Sequence, residues 1–194
     1  MTDEVTEEFT NEVNRLRARG LPTTVAMEVA RGDRKEEFEV ALWETRKRAA
    51  DWAKLPESRE AKVTPKWDYD PEHFYLSMDG ATLPKQINPA DFELVCADVS
   101  DVTSHLASHS TRSEDPWSEE YEGTAEIAYR WAKGLPVTPP LISPHGEKIT
   151  IVGGMHRFHL ARHFATAQMP LLVRTSELQR LRSILKSATG LDGR

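Results

Sequence analysis

The stretch "ITIVGGMHRFHLARHF", Ile149 to Phe164, decides how this chain reads. Ile149–Val152 is a β-branched run that predicts a strand. Gly153 and Gly154 end it, and a helix is expected from about His156 to Ala167. A strand that closes on two glycines and opens a helix is an anion-binding arrangement. Glycine lets the backbone take positive φ and approach a ligand closely. The first N–H groups of a helix lack intrahelical partners, and the helix dipole adds partial positive charge there. Arg157 adds a bidentate grip for phosphate oxygens. His156 adds a donor, or a proton shuttle near neutral pH. The plainer reading of the same residues is a tight bend into a core helix.

The rest of the chain bounds what this turn can serve. The sequence has 194 residues, 39% of them apolar and 29% charged, enough for one good-sized domain with an appendage. No apolar run approaches the length needed to span a bilayer, and the acidic start "MTDEVTEEFTNEV" has no signal-peptide character. One cysteine, Cys96, rules out an internal disulfide framework and a cysteine-based zinc cluster. A cytoplasmic protein with no membrane partner is the expectation. The net charge of −6 argues against a dedicated duplex-DNA binder. The charge is uneven: from Met155 onward seven Lys/Arg oppose two acids, giving +5, so the preceding residues carry −11. An anionic ligand would prefer that C-terminal end, although a solvated basic face on the last helix accounts for the charges equally simply.

Three parts follow one another. Residues 1–60 read as a helical N-terminal region, with helices over 3–19, 23–30 and from an Asp33 cap to Lys54. Residues 61–90 are broken by prolines and read as a linker or hairpin, with "HFYLSM" (73–78) as a short strand and "MDG" (78–80) as a turn. Residues 91–194 are the organised part. They predict a strand at 92–99, a polar loop, a long helix opening at Pro116 and closing at Gly134, and an extended "VTPPLIS" (137–143). The strand 149–152, the Gly-Gly turn, its helix, a strand at 169–174 and a last helix over 176–187 complete it. The fold class is α+β.

"GLPVTPPLISPHGEKITIVGGMHRFHLARHFATAQMPLLV" (134–173) resembles the ParB/sulfiredoxin superfamily in the order and spacing of its proline-bearing strand, turn, strand, G-G-x-H-R turn, helix and "-P-x-x-V" strand. The match is close over about 40 residues and extends to about 100 with the preceding strand and helix, leaving the first 90 outside. The resemblance implies a small mixed core of order β-α-β-β-turn-α-β-α. It implies that Gly153, Gly154, Met155, His156 and Arg157 face the phosphates of a nucleotide, ATP as in sulfiredoxins or CTP as in the partition proteins. It also implies a nuclease or ATPase, as in an Osa-like branch, with His156 and Arg157 catalytic and Mg2+ as helper ion. The alternative is a non-catalytic sensor that docks on a protein or nucleic acid.

The departures narrow this. Met155 stands where sulfiredoxins carry their nucleophilic cysteine, so the reductase chemistry is excluded. Their Lys-Ser-Thr set maps to Gly123, Glu126 and Arg130; with a register slip, Thr124 and Arg130 contribute to the nucleotide site. The paired arginines and DNA-binding helices of the partition family are not reproduced. His156, His159 and His163 share a helical face, which is zinc-compatible spacing, but "HLARH" lacks the glutamate of a metalloprotease, as does "HLASH" at 105–109. No metal ligand set is assigned. "SEDPWSEEYE" is an acidic patch that reads as a solvated face or, beside the turn, a Mg2+ holder.

Overall fold

The computed structural model describes residues 6–78, 83–113, 115–118, 121–164 and 166–191. Eight α-helices and five strands appear among them: α1 (Glu7–Ala18), α2 (Thr23–Ala30), α3 (Glu36–Trp52), α4 (Glu57–Glu60), β1 (Phe92–Asp98), α5 (Val99–Ser104), α6 (Tyr121–Ala132), β2 (Leu141–His145), β3 (Lys148–Gly153), α7 (Met155–His163), β4 (Gln168–Arg174), α8 (Leu178–Ile184) and β5 (Thr189–Gly190). The α+β class and the helical N-terminal region are as the sequence predicts. No described helix is long and apolar enough to cross a membrane.

The strands form one mixed sheet in the order β3-β2-β4-β1-β5. β2 and β3 are an antiparallel hairpin through Gly146, β2 runs parallel to β4, and β1 is antiparallel to both β4 and β5. β4 lies at the centre, and residues 169–173 are all buried. A strand buried on both faces reads as a continuous apolar run, which is what "MPLLV" is. On one face Val95, Ala97, Met169, Leu171 and Val173 pack with Ala128 and Trp131 of α6 and Phe158 and Leu160 of α7. On the other, Leu141 and Leu172 meet Phe74 and Phe92. α1–α3 have a small core of their own, Val13, Leu16, Leu21, Ala26 and Val40.

Several local expectations are corrected. "HFYLSM" is not a strand: Pro71–Met78 is a 3-10 helix. Asp68 and Asp70 accept from the backbone N–H groups of Asp70 and Glu72, both at 3.0 Å, and these side-chain bonds wind the chain before a strand partner is met. Residues 61–90 are more than a linker, because Phe74 and Tyr75 are buried and Trp67 bridges to Val137. The "MDG" turn falls partly outside the described residues. Asp33 does not cap α3. The cap position is Lys35, and Asp33 instead receives the Lys85 ammonium while Glu36 holds Arg15 and Arg19. Pro116 lies in a turn closed by the Asp115 carboxylate on Trp117 N–H (2.9 Å), and α6 is described from Tyr121. α7 starts one residue early and stops at His163, since the chain must reverse before β4. The loop after β1 contains the short helix α5, and the last helix is preceded by a 3-10 turn, Thr175–Glu177.

Candidate functional site

Gly154 adopts φ +85° at the cap of α7, so the positive-φ glycine turn anticipated at 153–154 is real. Gly153 serves a different close approach. A Cβ there would sit far inside contact distance of the Ser77 carbonyl oxygen, so the missing side chain makes room for the 3-10 segment. A Cβ on Gly154 would lie 3.0 Å from Pro140 Cα.

Arg157 is buried, at 9% exposure, and its guanidinium donates to the main-chain carbonyls of Leu76 (2.7 Å) and Thr138 (3.2 Å). The cause lies in the proline strand. Pro139 and Pro140 have no N–H, so regular strand pairing is interrupted there and each carbonyl around them takes a donor from a different element. Arg157 supplies Thr138, Ser77 Oγ supplies Pro139 (2.7 Å), and Leu172 N–H supplies Pro140 (2.9 Å). At least part of Arg157's donor capacity therefore holds the fold.

His156 and Thr124 come together, and Thr124 is buried. Thr124 Oγ1 is 3.1 Å from His156 Nδ1 and donates to the Pro116 carbonyl at 2.9 Å. The Arg112 guanidinium lies 3.4 Å from the same nitrogen. Gly123 allows this contact, since a Cβ on it would be 2.7 Å from His156 Nε2. Met155 is the first residue of α7 and packs against the main core, unlike the ligand-facing neighbours expected for it.

Gly154, His156, Arg157, Thr138 and Arg130 line a cavity of about 470 Å3 that is roofed by Glu39, Trp43 and Arg46 of α3 and by Arg34 from the turn before it. The volume is within the range of small-molecule sites. Four arginines and two glutamates face it. Glu39 takes Arg34 at 3.0 Å, and Glu126 takes Arg46 at 3.1 Å while Arg46 stacks over Trp43 at 4.5 Å. Arg130 donates to the Pro136 carbonyl at 2.8 Å, but its Nε is buried without a hydrogen-bond partner. Burial lowers the pKa of Arg130, against the pull of Glu126 and Asp68. A buried guanidinium nitrogen with no acceptor is costly, and an anion in the cavity would offset that cost.

The α3 residues are absent from the sequence-based site. Their one sequence signal is the i,i+3 spacing of Trp43 and Arg46, which helices use constantly for surface pairs; Arg34 and Glu39 are five residues apart and carry no helical pair signal. The histidine face resolves differently. His159 is 2% exposed and points inward, its Nε2–H donating to the Ser110 carbonyl at 3.1 Å. Burial pushes its pKa down to about 4, so the ring is neutral at physiological pH. His109 reaches Thr150 at 2.7 Å across β3. Among the described residues no three His, Cys, Asp or Glu side chains gather where they could hold a metal ion. Glu114, Glu119 and Glu120 of the acidic patch lie outside those residues. Cys96 sits in β1 opposite Pro170, and burial raises its thiol pKa.

The chain matches no protein-family model, no curated protein and no solved structure.

Proposed function

We propose that the cavity between α3, α6 and the start of α7 binds the phosphates of a nucleotide, and that the protein acts as a nucleotide-responsive binding module. The observation that carries this reading is the convergence of the Gly154 turn, His156 and four arginines on one cavity, with the buried Arg130 Nε lacking an acceptor. Excess cationic charge in a partly desolvated cavity favours a polyanion, and guanidinium groups match phosphate geometry. Glu39 and Glu126 are both occupied by arginines, so the cavity does not fit a metal held by protein carboxylates. A divalent ion would arrive on the phosphates themselves.

Calorimetric titration with ATP, CTP, GTP and inorganic phosphate, with and without Mg2+, tests this. Saturable binding that weakens roughly tenfold in Arg130→Gln supports it, a loss matching one charge-assisted hydrogen bond. Heat of dilution alone for every ligand overturns it.

Hydrolysis is the second reading, favoured by the His156–Thr124 contact at the cavity wall. There His156 would shuttle a proton and Arg157 would stabilise developing charge. Phosphate release that disappears in His156→Gln, with nucleotide binding retained, would establish it. Binding without turnover in the native protein leaves the module reading alone.

A further inference from the structure

A second, larger groove of about 1110 Å3 adjoins the cavity and shares Trp43, Arg46, Gly123 and Glu126 with it. The groove runs between the α1–α2 turn and the outer side of α3. Its floor is apolar, with Leu21, Pro22, Ala49 and the half-buried Trp43. Its rim is basic: Arg17, Lys47 and Lys54 are exposed and join Arg46 against one acid, Glu126. Lys54 is paired with Asp51 at 2.7 Å, but among the described residues neither Arg17 nor Lys47 meets a carboxylate. Gly20 is part of the design. Lys47 Nζ lies where a Cβ on residue 20 would be, so the ammonium can fold over the helix turn toward the groove. On a chain of net charge −6 this is a local reversal of sign.

A basic rim over an apolar floor beside an arginine-lined cavity suits one chemistry well. Single-stranded nucleic acid is held by a cationic track for its phosphates and by apolar or aromatic surface for its bases. We propose that the groove carries the nucleotides of a single strand whose terminal phosphate occupies the cavity. The inference rests on the phosphate-binding reading of the cavity and gives that site its ligand class. A free nucleotide would use the inner part only; a phosphorylated strand end would use both.

Fluorescence anisotropy on the full chain tests it with oligothymidylates of about ten nucleotides, a length within the range of single-strand sites. The strands carry a 5′-phosphate, a 3′-phosphate or neither, and thymidine monophosphates serve as the short references. One phosphorylated strand should bind at least roughly tenfold tighter than its monophosphate, with a salt slope near −2 for three cation contacts. The double variant Arg17→Glu, Lys47→Glu should abolish that gain and leave monophosphate binding as in the native protein. Both residues are exposed, so folding is not at stake. Strand and monophosphate binding with equal affinity overturns the inference while the cavity reading stands. Strand binding indifferent to the terminal phosphate overturns the link between groove and cavity. Equal binding of polyglutamate makes the groove an acidic-peptide site and also overturns it. Absence of monophosphate binding removes the cavity reading itself.

Discussion

Gly153, Arg157 and His159 sit within seven residues of one another and do three different jobs. Gly153 is small because the Ser77 carbonyl passes over it. Gly153→Ala should cost about 2–3 kcal/mol, the range for forcing a methyl group into packed backbone, and a urea melt reads it directly. Arg157 bonds two carbonyls that no strand partner serves. Arg157→Met should cost roughly 2–4 kcal/mol, and Arg157→Lys should rescue little of it, because one ammonium cannot reproduce the forked pair. A full rescue by lysine would show that the charge, and not the fork, matters. His159 is buried neutral, with its pKa depressed from about 6.5 in the unfolded chain to about 4. Below the unfolded value the unfolded state binds the extra proton. Its contribution is therefore intact above about pH 6.5 and is lost as pH falls toward 4, by up to on the order of 3 kcal/mol. Urea midpoints between pH 7 and 5 should fall in the native protein and stay flatter in His159→Gln. Parallel profiles would place the titration elsewhere.

Among the elements, β4 and α3 contrast most. β4 is buried along residues 169–173, and Leu172 is fully enclosed with Phe74, Phe92 and Leu141. Leu172→Ala should cost about 2–5 kcal/mol by transfer and cavity terms, measured by chemical denaturation. α3 has buried residues at 39, 40, 42 and 49, and presents Trp43 and Arg46 to the cavity. Its ion pair to Glu126 is partly exposed, so Arg46→Gln should change stability by under about 1 kcal/mol. On the proposed function nucleotide affinity should fall more than stability does, since the same guanidinium faces the cavity. The 3-10 segment Pro71–Met78 shows the limit of local pattern: its aromatic run has strand propensity, yet the aspartate turns before it set the conformation.

Across the whole molecule, stability is unevenly spread. The sheet and α5–α8 share one large core, whereas α1–α3 rest on a core of a few residues. Native-state amide exchange should therefore be slowest in β1 and β4 and faster in α1 and α2. Because α3 roofs the cavity, saturating nucleotide should slow exchange in α3 and α6 together. Protection confined to α7 would mean that the roof plays no part in binding.

The C-terminal half was legible because its signals are local. "ITIV", "GG" and "MPLLV" each carry their conformation in adjacent residues, through β-branching, positive φ and continuous burial. The sequence by itself determined the α+β class, the helical N-terminal region and the positive-φ turn at Gly154. Tertiary structure alone decided what surrounds the turn. It placed Arg157 on the Leu76 and Thr138 carbonyls, turned His159 into the core, and laid Arg34, Trp43 and Arg46 over a cavity that Gly154, His156 and Arg157 also line. Those outcomes depend on which distant groups lack hydrogen-bond partners and which surfaces close over them. Neither propensity nor periodicity, which report on neighbours along the chain, contains that information.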